Sequence, residues 1–198
     1  MDMTMLSNIE VLAVSVGGIA GCYLLVAFGW SISFPERRIW PPKQATTGIK
    51  LRVWLATISI FAATFVLGVV DWNSFGWPAP VRWSIGLALI GVGNVVVSIG
   101  VRKIGFGATS GEVAELKTDG LYRYSRNPQY VADMVILIGW AVLSASGWAA
   151  CVAAFGVIVL AAAPFAEEPW LEDTYGKDYL AYKTRVRRYV GQRRQRQA

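Results

Sequence analysis

Four stretches of the chain carry side chains suited to chemistry. In Gly120-Leu121-Tyr122-Arg123-Tyr124-Ser125-Arg126-Asn127-Pro128-Gln129-Tyr130, an arginine stands two residues before a proline where an apolar stretch begins. Proline at the first turn of a helix leaves the other unpaired backbone N–H groups available. With Arg126 these groups suit a carboxylate or phosphate; equally, they describe a capped helix whose arginine reaches lipid phosphate. Glu167 and Glu168 close a later apolar stretch. Two carboxylates at a helix C-terminus oppose its macrodipole, so a cation must offset them. On these residues alone nearby arginines are the first choice and a cationic ligand the second. Leu171, Tyr175, Tyr179, Tyr182, Val186 and Tyr189 recur at three- and four-residue intervals and share one helical face. That face describes an interfacial amphipathic helix, or one that folds back over a ligand. Gly105-Phe106-Gly107 permits close backbone approach to a ligand, although a turn alone explains it. Asp133, one turn into the fourth apolar stretch, is an intramembrane acid and so a site candidate by default; solvation near the interface accounts for it as well.

What is missing narrows the chemistry. The 198 residues include no histidine, which removes the commonest general base and metal ligand. Two isolated cysteines, Cys22 and Cys151, specify neither a disulfide framework nor a metal site. No metal is expected.

The elements that must position these residues are membrane spans. Apolar residues make up 55% of the chain and charged ones 16%, against about a quarter in soluble domains. They fall in blocks of bilayer-crossing length, about 17–25 residues. We expect an all-α polytopic membrane protein of a single domain, with spans over about 9–34, 52–70, 81–101, 130–145 and 147–166. The fourth and fifth form a hairpin broken at Ser144–Gly147, and residues 102–129 and 167–190 lie on the cytoplasmic side. Of the 19 basic residues, 18 fall on one side of these spans and Arg82 alone on the other. The positive-inside rule puts the N-terminus outside and the C-terminus in the cytoplasm. The charge of +6 therefore signals topology and anionic lipid rather than nucleic acid. The proline-rich loop Pro35–Pro42 reads mainly as structural, and residues 191–198 as a frayed polar tail.

Arranged along such a scaffold, the motifs resemble those of integral-membrane methyltransferases that include isoprenylcysteine carboxyl methyltransferases and phospholipid N-methyltransferases. The resemblance covers about Arg102 to Tyr189. It rests on Gly120, Tyr122, Arg126, Asn127, Pro128 and Tyr130, then on Glu167, Glu168, Leu171, Tyr175, Gly176, Tyr179, Tyr182, Arg185 and Val186 one hairpin later.

The resemblance implies S-adenosylmethionine as methyl donor and a lipidic or amphipathic acceptor. Arg126 with the backbone around Asn127 and Pro128 suits the donor's carboxylate. Glu167 and Glu168 suit its ammonium, and Tyr122, Tyr130, Tyr179 and Tyr182 its adenine or sulfonium. Gly105 and Gly107 belong to the same expected region. Asn127 and Pro169 are similar to the phospholipid branch, where the acceptor is an amine and Glu168 is the nearest base. Arg185 is similar to an acceptor-carboxylate arginine of the prenylcysteine branch, and Arg187 stands where proline usually follows. The acceptor thus stays open between carboxylate and amine. Two other readings compete: an NADPH-dependent reductase of the sterol-reductase type, and a non-enzymatic membrane scaffold.

Overall fold

The computed structural model describes residues 3–42, 47–109 and 115–192, with side chains over 7–42, 47–103 and 115–192. Among the described residues there are five α-helices: α1 (Met3–Ser33), α2 (Thr47–Val70), α3 (Ala79–Thr109), α4 (Pro128–Ser144) and α5 (Gly147–Arg185). Among the described residues the only strand-like pairing is an isolated bridge, Val186 with Gln192. Helices α1, α2, α3 and α5 are each long and apolar enough to cross a membrane, and α4 is a shorter apolar helix of 17 residues. At 1.5 Å per residue α4 rises about 25 Å, close to the hydrocarbon thickness of about 30 Å. Apolar side chains cover the outside of the bundle; Ile19, for example, is 71% exposed. In lipid such a surface costs nothing, while helical backbone satisfies its interior polar groups within each segment. The chain is an integral membrane protein.

Four helix boundaries differ from expectation, the first being α1, which begins at Met3 rather than near Ile9. α2 begins at Thr47 rather than near Arg52, α3 continues to Thr109 rather than ending near Val101, and α5 runs on to Arg185 rather than ending at Ala166. Hydropathy marks where lipid contact ends. The helical hydrogen-bond ladder has no reason to stop there when Lys, Arg and Glu, good helix formers, follow. Gly105 and Gly107 therefore lie in the last turns of α3, not in a loop, and their surroundings fall outside the described side chains. α5 passes through Pro164 and Pro169 and breaks its helical geometry at Gly176 (φ 53°, ψ −126°), a conformation suited to glycine.

α3 packs chiefly on α4, and glycines set how closely. A Cβ at Gly86 would lie 2.7 Å from the Leu143 Cα, one at Gly93 2.5 Å from Ile136, and one at Gly100 2.8 Å from Gln129. Each step of seven along α3 meets a step of seven back along α4. That is the antiparallel seam of a left-handed helix pair, with small residues admitting close backbone approach.

The end opposite the basic residues is tied by polar groups. Asp71 accepts from Ser146 Oγ (2.7 Å), Ser74 Oγ (2.9 Å) and the Trp148 N–H (3.3 Å). Ser146 in turn caps α5 by accepting from the Ala149 N–H, so the expected hairpin break at 144–147 is present. The solitary basic residue of this end, Arg82, is buried. Its Nη1 donates to the Leu143 carbonyl at the C-terminus of α4 (3.0 Å), and its guanidinium sits 4.7 Å from the Trp72 ring. A charge-assisted hydrogen bond of this kind contributes about 1.5–3 kcal/mol. Arg82→Met is accordingly expected to lower the thermal midpoint in detergent by several degrees, measured by tryptophan fluorescence. Ligand binding at the far end of the bundle should be unchanged.

Candidate functional site

At the basic end, a cavity of about 940 Å³ extends into the bundle and is lined by side chains of all five helices. Its walls are mostly apolar. The polar groups gather near the start of α4, at Arg126, Asn127, Tyr130, Asp133 and, facing them from α5, Glu167.

Local backbone chemistry sets up the first motif. Gly120 takes φ 57°, which an L side chain rarely adopts, and opens the short 3-10 turn Gly120–Arg123. Lys103 at the end of α3 pairs with Asp119 (2.6 Å) and holds the turn in place. Pro128 then starts α4 at its first position, as expected. Tyr122 is buried in the turn. Burial first, and then the negative charge of Glu167, pushes its phenol up to about 12, so the O–H stays protonated at neutral pH.

Arg126 is 8% exposed and lies at the centre of the second set of contacts. Its Nη2 pairs with Glu168 Oε1 at 3.0 Å, and its Nη1 donates to the Tyr179 hydroxyl at 3.3 Å. Its Nε is buried without a hydrogen-bond partner, although the residue lines the cavity. Glu168 is 4% exposed and surrounded by cations. Arg188 grips it with two hydrogen bonds, Nε to Oε1 (2.6 Å) and Nη2 to Oε2 (2.8 Å), and Lys183 stands 3.8 Å away. The parallel pair is the strong bidentate geometry. The offset to Glu168 is thus arginine, as the residues alone suggested.

Glu167 lives differently one residue earlier. It accepts from Trp40 Nε1 (2.7 Å) and from the Tyr130 hydroxyl, both on Oε1. No described cation pairs with it. Trp40 was not legible as a site residue, because it is 127 positions from its partner. Ser31 brings it there: its hydroxyl, near the end of α1, accepts from both the Ile39 and Trp40 N–H groups at 3.0 Å.

The bend at Gly176 lets the last two turns of α5 pack back over the first motif. Tyr179 and Tyr182, each 2% exposed, cluster with Tyr122 and Val186. The Tyr182 hydroxyl donates to the Tyr122 carbonyl at 2.6 Å. Beyond α5 the chain turns into a small hairpin that takes in residues 191 and 192 of the expected tail; 193–198 lie outside the described residues. The Arg187 N–H donates to the Gly191 carbonyl (2.9 Å), its carbonyl accepts from the Arg126 N–H (3.1 Å), and Gly191 donates to Tyr124 (2.7 Å). A proline at 187 would remove the first of these donors, so the hairpin disfavours proline there. Asn127 joins this hairpin to α4, its Nδ2 donating to the Arg188 carbonyl at 3.0 Å.

Of the residues singled out in the sequence, Tyr122, Arg126, Asn127, Pro128, Tyr130, Glu167, Tyr179 and Tyr182 all line the cavity. Glu168 supports Arg126 from behind. Arg185 is not brought in: it is exposed, does not line the cavity, and donates to the Ala181 carbonyl one turn earlier. Arg188 and Trp40 are the residues missed.

Residues 81–178, just under half of the chain, match the model of the phospholipid methyltransferase family. The match bears out the membrane methyltransferase resemblance. No curated protein and no solved structure matches the chain.

Proposed function

We propose S-adenosylmethionine-dependent methyl transfer to a lipidic or amphipathic acceptor for this chain, whose residues 81–178 match the phospholipid methyltransferase family model. The observation that carries this reading is the pair of opposite polar groups left with unmet capacity in one cavity. Arg126 keeps a buried Nε without an acceptor, and Glu167 takes two neutral donors on one oxygen and no cation. An orphaned guanidinium N–H asks for a carboxylate, and a carboxylate without a counter-ion asks for an ammonium. An amino acid end presents both on one carbon, so the residues present fit S-adenosylmethionine.

In this reading Arg126 holds the donor's carboxylate, and Glu167, oriented by Trp40 and Tyr130, holds its ammonium. Tyr122, Tyr179 and Tyr182 supply aromatic faces and edges for adenine or for the positive sulfur. Pro128 starts the helix that presents them, and Asn127 anchors that start to the C-terminal hairpin. When bound, the cofactor supplies a methyl group already activated by its sulfonium. The protein then needs to align the acceptor and exclude water rather than provide a metal or a histidine. The basic end of the bundle faces the cytoplasm by the positive-inside rule, so the donor enters from water and the acceptor from the bilayer. Glu168, saturated by three cations, serves as a support for Arg126 and not as a proton acceptor.

Calorimetry of the purified protein in detergent tests the reading. S-adenosylhomocysteine is expected to bind, NADPH is not, and Glu167→Gln is expected to weaken the first at least tenfold. Binding of NADPH alone would instead favour the reductase, and binding of neither would leave the scaffold.

A further inference from the structure

Resting on the methyltransferase reading, the cavity also contains a group that reading does not use. Three carboxylates line it: Glu115, Asp133 and Glu167. Glu115 pairs with Lys117, and Glu167 is held by Trp40 and Tyr130. Asp133 takes no hydrogen bond and no ion pair from any described residue. It sits on α4 one turn beyond Tyr130, between the polar cluster and the apolar side chains Ile136 and Leu137 deeper in the same cavity. An acid at such a depth is costly unless it is hydrated or something cationic meets it. Five residues into α4 places it about 8 Å along the helix from Pro128, where the lining of the cavity passes from polar to apolar. Trp54, Phe61 and Phe65 of α2 and Leu87, Ile90 and Val97 of α3 wall the remainder of the cavity with surface suited to acyl chains.

We propose that Asp133 is the residue that reads the methyl acceptor: it binds the ammonium of a lipid headgroup and takes its proton. The acceptor enters as R–NH3+. One proton passes from nitrogen to the Asp133 carboxylate, leaving a neutral amine with a free electron pair. That pair forms the new N–C bond to the methyl of the sulfonium donor as the C–S bond breaks, and the electrons of the broken bond remain on sulfur as a neutral thioether. The product is R–NH2+–CH3, and the proton on Asp133 leaves to water at the basic end. The charge of the three partners is +1 before and after. Among the described residues no other carboxylate of the cavity serves this role, since Glu115 pairs with Lys117 and Glu167 is held by Trp40 and Tyr130, while Glu168, outside the lining, is enclosed by Arg126, Arg188 and Lys183. A carboxylate acceptor is disfavoured by the same residue, because Asp133 would repel it.

The test measures binding, with cofactor affinity as a separate readout. Short-chain phosphatidylethanolamine and phosphatidylglycerol are titrated into wild type, Asp133→Asn and Asp133→Glu in detergent, and S-adenosylhomocysteine into each protein alongside. Wild type is expected to prefer the amine lipid at least tenfold. Asp133→Asn should lose that preference while binding S-adenosylhomocysteine within twofold of wild type, and Asp133→Glu should keep part of it. A preference that survives in Asp133→Asn, or is missing from wild type, overturns the role of Asp133 and leaves the methyltransferase reading standing. Failure of wild type to bind S-adenosylhomocysteine overturns both.

Discussion

Glu168→Gln is expected to lower S-adenosylhomocysteine affinity at least tenfold, about 1.4 kcal/mol, and to destabilise the protein as well. The reason is the position of Arg126 rather than a contact of Glu168 with ligand. Glu168 neutralises a guanidinium that is almost entirely buried and fixes its Nη2 at 3.0 Å. Without that charge Arg126 is left in a low-dielectric setting, and the bidentate hold of Arg188 is lost. Breaking a buried pair costs about 3–5 kcal/mol. Arg188 and Lys183 retain about a quarter to a third of their side-chain exposure, so water compensates them in part and the lower end applies. A double-mutant cycle separates the two roles. If Glu168 acts through Arg126, the affinity losses of Glu168→Gln and Arg126→Met are strongly non-additive; if Glu168 touches the ligand itself, they add. Thermal midpoints measured on the same four proteins give the stability coupling.

The second large effect concerns the seam between α3 and α4. Gly86→Leu is expected to destabilise the bundle by about 3 kcal/mol or more, at the upper end of overpacking costs. A Cβ there would meet not only the Leu143 side chain but its Cα at 2.7 Å and N at 2.8 Å, and backbone cannot swing aside as a side chain can. α3 depends on α4 for most of its packing, so displacing it opens the cavity wall that Leu87, Ile90 and Val97 provide. Gly91→Leu is the control on the same helix: nothing lies within 4 Å of its Cβ position, so it should purify like wild type. Size-exclusion profiles and thermal midpoints in detergent distinguish the two. Equal behaviour of both variants would mean that the glycine seam does not set the packing.

The seam stands in the sequence as glycines at 86, 93 and 100, a spacing of seven, with nothing local to mark it as a contact. Glycine in an apolar stretch is uninformative until a partner helix is known to pass over it. Only the facing Leu143, Ile136 and Gln129, themselves seven apart, turn the spacing into a contact surface. The two motifs were legible because each is local: glycine at a positive φ, proline at a helix start and tyrosines on one face follow from backbone geometry within a few residues.

What each carboxylate does was not legible. Glu167, Glu168 and Asp133 have the same chemistry, and hydropathy places all three near one membrane face. Glu168 is enclosed by cations that the C-terminal hairpin delivers, Glu167 is held by a tryptophan from the other end of the chain, and Asp133 meets neither. The sequence by itself determined the number of helices, the separation of basic from apolar segments and the location of the motifs. Each of these depends on the transfer energy or local geometry of one segment at a time. Only the tertiary structure decided which charge is satisfied and which is not, because Coulomb and hydrogen-bond energies depend on the distance between groups that the chain keeps far apart until all five helices have packed.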